Sequence, residues 1–259
     1  MTIRADGSRP ASVVEAVALP VLTGLAVFAL WQFGTSSFGV SEVLLPPPTA
    51  IAARFRDLLP TLLVHTGATA GEIALASGVA LGGGAILAGL LTLSPGLYGA
   101  LMPTIVLFQI IPKIALAPLF VFWLGIGSPS RLVFAIFLSF FPVLVSTAAG
   151  LQLAGSEAVR LCRSLGATRW QILRDVRIPS AAEHFFSGAK VTVTLAVIGV
   201  IASEFISAKQ GLGYFILLAS SRADTSAVFA ALTMLCIIGL GFYLCVLAAE
   251  RAVLRALYG

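Results

Sequence analysis

The sequence predicts an all-α, polytopic membrane protein with about six transmembrane helices. Three observations carry that expectation. Of 259 residues, 59% are hydrophobic and only 10% are charged, against about 25% charged in soluble domains. Mean hydropathy is +1.04, so the apolar surface exceeds what a core of this length could hide from water. The apolar residues fall into runs long enough to cross a bilayer, which takes about 20 residues in a helix.

The first run extends from about Val14 to Phe33, behind a polar tail over residues 1–13 with no evident cleavage site. It reads as a retained first span rather than a signal peptide. Pro46, Pro47 and Pro48 then exclude continuous helix, and Thr49 to Leu59 fits a short surface helix bearing Arg54, Arg56 and Asp57. The second span covers roughly Leu63 to Leu93. Its Gly82 to Gly84 run suits close helix approach, and no Lys-Ser/Thr follows it to make a phosphate loop.

The third span begins near Tyr98 and is broken between Pro112 and Pro118 before continuing to Leu124. The fourth runs from about Arg131 to Leu151, the fifth from about Phe185 to Ser207, and the sixth from about Ser226 to Arg251. Residues 14–259 therefore read as a single transmembrane domain, with a basic loop over 154–183 between the fourth and fifth spans.

Six spans put both termini on one side. Arg4, Arg9, Arg160, Arg163, Arg169, Arg174, Arg177, Arg251 and Arg255 fall on that side, while Arg54, Arg56, Arg131, Lys209 and Arg222 fall on the other. Nine basic residues against five place the termini and the 154–183 loop in the cytoplasm. The net charge of +5 is thus read as topology, not as a nucleic-acid footprint. Cys236 and Cys245 behave as small hydrophobes, and Cys162 has no metal-site or disulfide spacing. His65 and His184 read as interfacial residues at helix starts rather than ligands. No metal or cofactor is expected in this chain.

The 154–183 loop fits two short amphipathic helices on either side of Gly166. Leu161 and Leu165 form an i, i+4 stripe on the first; Trp170, Leu173 and Ile172 form one on the second. Gly166 allows the positive φ of a sharp reversal, and Pro179 is expected to end the second helix. Pattern alone fits two roles equally, a helix pair lying on anionic headgroups or a protein-docking element.

Polar groups inside spans are costly and mark pathways by default. Gln109, Pro112, Lys113 and Glu204 are the leading candidates, with Lys190 and Ser203 behind them. Lys113 lies between two prolines, where a broken helix frees backbone carbonyls; alternatively it fixes helix packing. Glu204 reads as a substrate contact or, alternatively, as a structural partner at the outer end of the fifth span.

The loop resembles the EAA motif of permeases from ATP-binding-cassette importers, which runs Glu-Ala-Ala, three residues, Gly, nine residues, Ile, one residue, Leu-Pro. From Gly166 the spacing leads to Val176 and then to Ile178-Pro179. The motif's Glu-Ala-Ala falls on Arg160-Leu161-Cys162, with Glu157 three residues too early. The run from Pro112 to Gly127, Ser203 to Phe205 and Gly211 to Tyr214 are similar to nitrate/sulfonate/taurine-type permeases.

That resemblance implies the type I importer permease fold, and a bacterial inner-membrane subunit working as one of two, with a homodimer expected. It implies two cytosolic ATPases that bind ATP and Mg²⁺, and a periplasmic binding protein docking on loops near 35–62, 124–131 and 208–224. It further implies that Arg160, Arg163, Gly166, Ala167, Thr168, Arg169, Trp170, Val176, Ile178 and Pro179 form the ATPase-coupling element. The cargo it implies is a small anion such as nitrate, a sulfonate or taurine, or alternatively a vitamin precursor.

Overall fold

A computed structural model describes residues 13–153 and 156–258. Arg4 and Arg9 of the polar tail lie outside the described residues, as do residues 154 and 155 of the basic loop. No strand occurs among the described residues. The helices are α1 (Val13–Ser37), α2 (Pro48–Leu93), α3 (Pro95–Phe108), α4 (Ala117–Leu124), α5 (Ser128–Leu153), α6 (Ser156–Ser164), α7 (Arg169–Ile172), α8 (Ile178–Ser207), α9 (Leu212–Ser221) and α10 (Thr225–Tyr258). A 3₁₀ turn (Lys113–Leu116) precedes α4, and a π turn (Leu173–Arg177) joins α7 to α8.

Five helical stretches are long and apolar enough to cross a membrane. The α3 and 113–124 segments make a sixth if taken together, bent by 84°. The bend sits where Pro112 interrupts the helix, since proline offers no N–H and fixes φ.

Several expectations need correction. The surface helix over 49–59 and the second span are one continuous helix of 46 residues, α2, with Pro60 inside it. At 1.5 Å per residue it is about 69 Å long, roughly twice the hydrocarbon thickness, so one end extends past the apolar layer. Pro179 does not end a helix but stands in the first turn of α8, directly after the π turn and within one helical run over Arg169–Ser207. The helix that carries the fifth span therefore begins before Phe185. The 208–224 connection is not plain loop: it holds α9, whose Leu212, Phe215, Ile216 and Ala219 are buried against Leu62 and Ala227 to Leu235.

The bundle centres on α5, packed between α2 and α8. Small residues set these separations. A Cβ on Gly188 would fall 2.9 Å from the Val143 Cα, and one on Gly199 would fall 2.9 Å from the Ala135 Cα. Of the 82–84 run, Gly84 is the tight position, abutting Val143 and the Leu144 backbone, whereas Gly82 faces open space. Close backbone approach of this kind is how helices associate in lipid. Apolar side chains such as Leu22, Leu30, Ile86 and Leu240 remain exposed on the outer surface, as a lipid solvent requires.

Two ion pairs lie inside the bundle. Arg131 of α5 donates to both carboxylate oxygens of Glu72 at 2.5–3.1 Å and to the Ser207 carbonyl at 3.3 Å. Lys190 of α8 meets Glu250 of α10 at 2.7 Å. His65 is not at a helix start but within α2, where its Nδ1 accepts the Gly211 N–H at 3.1 Å and its ring packs beside Tyr214 and Phe215.

Candidate coupling element and polar sites

The segment from Ser156 to Arg177 is built almost entirely from local rules. Helix α6 stops because Gly166 takes φ +83°, a left-handed conformation that glycine adopts without a Cβ penalty. Its N–H bonds back to the Arg163 carbonyl at 3.0 Å, and the Ala167 N–H bonds to the Cys162 carbonyl at 3.0 Å. These are the two bonds of a Schellman end, which satisfies carbonyls that the helix leaves free.

Thr168 then starts α7 with a capping box. Its hydroxyl accepts the Gln171 N–H at 3.3 Å, while Gln171 Oε1 accepts the Thr168 N–H at 2.8 Å. Two of the helix's first unpaired donors are satisfied this way. The reversal is therefore fixed within a few residues, independent of contacts from elsewhere.

Burial divides the element. Val159, Ile172 and Leu173 are buried, and Leu173 joins Leu144, Ala148, Leu151 and Ala181 at one end of the bundle. Leu161, Leu165 and Trp170 point outward at 62%, 79% and 62% exposure. The expected single stripe of Trp170, Leu173 and Ile172 is thus split: the last two anchor the element, and Trp170 is presented to the outside. Large apolar groups held outward on a rigid reversal suit contact with a headgroup layer or with a partner.

The other residues of the element distribute as follows. Arg160 and Arg163 are exposed on α6, and Ala167 is half-buried. Arg169 reaches the Leu93 carbonyl at 3.4 Å and Arg177 the Thr92 carbonyl at 3.3 Å, both at the end of α2. Val176 and Pro179 are half-buried, and Ile178 is exposed.

The polar residues predicted within spans do not converge on one point. Gln109 caps the end of α3 and is exposed, as is Pro112. Lys113 is buried, with its Nζ 4.7 Å from the centre of the Phe141 ring. No ion pair reaches it among the described residues. Phe141 stacks on Phe108 and meets Phe137 and Phe140 edge-on, so the cation sits against an aromatic group.

Glu204 has different neighbours. Its Oε1 accepts from Thr69 Oγ1 at 2.7 Å, and its Oε2 accepts the Gly213 N–H at 2.7 Å. A Cβ on Gly211 would overlap the same carboxylate. Ser203 is buried and donates to the Val200 carbonyl at 2.7 Å. Glu204 thus ties α8 to α2 and to the start of α9.

Sequence reasoning passed over Glu72, Thr69 and Glu250. The signal for the two acids was available, since a lone carboxylate in an apolar run demands a partner. It passed over the capping box too, although Thr168 and Gln171 carry its spacing.

The sequence family described as "binding-protein-dependent transport system inner membrane component" matches residues 80–257. The chain is 34% identical over 225 residues to the formylaminopyrimidine transport permease protein ThiX of Halalkalibacterium halodurans, covering 86% of this chain and 90% of the relative. It is 34% identical over 249 residues to the riboflavin transport system permease protein RibX of Chloroflexus aurantiacus, covering 93% and 90%. The taurine transport system permease protein TauC of Escherichia coli is 29% identical over 242 residues, covering 91% and 88%.

Proposed function

This chain belongs to the family of inner-membrane components of binding-protein-dependent transport systems, and from that premise we propose that residues 156–177 couple it to a cytosolic ATPase. As a member of the family it is a multi-pass inner-membrane permease of an ATP-binding-cassette importer, a transport subunit and not an enzyme. Such an importer works with an ATPase and a substrate-binding protein.

The observation that carries the coupling role is the outward presentation of Leu161, Leu165 and Trp170 on a reversal anchored by Leu173. A rigid element fixed to the bundle transmits a displacement of its partner as a rigid-body movement. In this reading Gly166, Ala167 and Thr168 set the shape of the element, and Trp170 with the two leucines seats in the partner. Arg160 is the exposed charge that meets the partner where the motif has an acid. Val176, Ile178 and Pro179 join the element to α8. ATP and Mg²⁺ bind the partner.

The basic-rich end carrying 156–177 and the C-terminus faces the cytoplasm. Two copies of this chain form the pathway with two ATPases, and the binding protein docks near 35–62, 124–131 and 208–224. Lys113 lines the pathway, with Gln109 and Pro112 at the same break. A buried cation with no ion-pair partner among the described residues favours a small anion as cargo, in keeping with relatives named for taurine, aliphatic sulfonates and nitrate. Glu204 serves the pathway by holding α8, α2 and α9 in register.

A second cargo reading has its own support. Two relatives at 34% identity are named for formylaminopyrimidine and riboflavin transport, and the ring cluster around Phe141 suits a nitrogen heterocycle. Reconstitution with the ATPase and binding protein in proteoliposomes tests both. Uptake must require ATP and the binding protein. Lys113→Met should reduce anion uptake at least tenfold with the complex intact. Unchanged anion uptake by that variant removes Lys113 from the pathway, and uptake of a heterocycle alone selects the second cargo.

A further inference from the structure

A cavity of about 370 Å³ lies between the coupling element and the junction of α2 with α3. Arg163, Arg169 and Arg177 all line it, and no carboxylate does. Its remaining wall includes Thr92, Leu93 and Pro95, the end of one membrane helix and the start of the next.

Three guanidinium groups in one concavity repel one another, and among the described residues the protein acceptors they reach are two helix-end carbonyls at 3.3–3.4 Å. Arg177 Nε is buried and has no hydrogen-bond partner. An arginine carries five N–H donors in a planar fork, so most of the donor capacity around this cavity is unspent. Among the described residues, the ion pair nearest in sequence, Arg174 with Asp175 at 3.7 Å, is fully outside it with both side chains exposed.

We propose that this three-arginine cavity binds a phosphate group. Guanidinium forks match phosphate oxygens in bidentate geometry, and charge-assisted bonds of this kind are the strong ones. The cavity lies where Leu93 ends α2, at the end of a helix long and apolar enough to cross a membrane. Basic pockets between membrane helices on the cytoplasmic side take anionic headgroups. A phosphodiester of an anionic lipid and free inorganic phosphate present the same chemistry. The proposal rests on the cytoplasmic orientation only for the identity of the leaflet. A ligand here would brace the coupling element against the bundle end.

The test uses the full chain purified in a neutral detergent. Its unfolding temperature is followed while phosphatidylglycerol, phosphatidylcholine or inorganic phosphate is titrated at constant ionic strength. Wild type should be stabilised by phosphatidylglycerol over phosphatidylcholine. Arg163→Gln and Arg177→Gln should each weaken the response about tenfold, the loss of one charge-assisted contact. Arg174→Gln should respond as wild type. A response to phosphatidylglycerol alone assigns a lipid headgroup, and a response to phosphate as well assigns the free anion. Arg163 is exposed on α6, so its variant should fold even if Arg177→Gln does not. The proposal is overturned if neither probe stabilises wild type more than phosphatidylcholine does. It also fails if Arg163→Gln responds like wild type, or if Arg174→Gln loses as much. None of these outcomes depends on ATPase docking, so the coupling role stands or falls separately.

Discussion

Glu204 on α8 accepts the Thr69 hydroxyl of α2 at 2.7 Å, joining two helices across 135 residues of sequence. The same carboxylate holds the Gly213 N–H, and Thr69 Oγ1 in turn accepts the Leu212 N–H at 2.8 Å. The start of α9 is thereby fixed on two spans. Glu204→Ala should leave the Gly213 N–H and the donor proton of the Thr69 hydroxyl buried and without their acceptor, at about 1–3 kcal/mol each. Thermal unfolding in detergent should drop clearly for Glu204→Ala and less for Glu204→Gln, whose amide oxygen can accept the Gly213 N–H while its NH2 donates to the Thr69 oxygen. Equal losses would mean that the carboxylate acts by charge and not by these bonds.

A second buried tie joins Arg131 to Glu72, with side chains only 9% and 15% exposed. Removing one partner of such a pair costs about 3–5 kcal/mol, because a lone charge is left inside, while replacing both is far milder. Arg131→Met should therefore yield poorly folded protein, and adding Glu72→Leu should recover much of the loss. A double variant no better than the single would show that the bond to the Ser207 carbonyl, not the ion pair, is what matters.

At Gly166 the backbone, not the space, is limiting. A Cβ there meets nothing within 4 Å, yet φ is +83°. Gly166→Asn should retain most transport, since Asn tolerates the left-handed region, whereas Gly166→Val should lose it. Uptake by the two variants at matched complex yield decides between strain and crowding. Similar behaviour of both would locate the requirement elsewhere.

The Arg54–Asp224 pair gives a pH signature outside the spans. Partial burial pushes the Asp224 carboxyl up, but the Arg54 hydrogen bond, the Ala227 N–H and the Arg54 charge outweigh it and hold it below its ordinary 3.8. A lowered folded value means that the stabilisation is present above the ordinary value and is lost as pH falls through the folded one. The window therefore opens near pH 4 and extends downward. Arg54 is 42% exposed, so the contribution is about 0.5 kcal/mol. Wild type and Asp224→Asn should differ by that amount at neutral pH and converge in acid. A constant difference across that range would rule out titration of Asp224.

The sequence revealed what is written locally. Apolar run length marked the spans, and Gly166 marked the reversal, because both obey rules a few residues wide. Continuity of α2 through Pro60 was hidden, since proline punctuates more often than it is accommodated. Helix α9 was hidden as well: ten residues are too few for a span, and what holds them is Leu62, His65 and Thr69 from a distant helix. The outward aim of Trp170 needed the burial of Leu173 against α5 and α8, which no local pattern contains.

The claim that most of this account depends on is that Leu161, Leu165 and Trp170 face the ATPase. A photo-crosslinking amino acid placed at position 161 or 170 in the assembled transporter tests it directly. Efficient capture of the ATPase is expected from both positions and none from position 240, an outer apolar site on α10. Capture from 240 as strong as from 161 and 170, or no capture from either loop position in an intact complex, would contradict it.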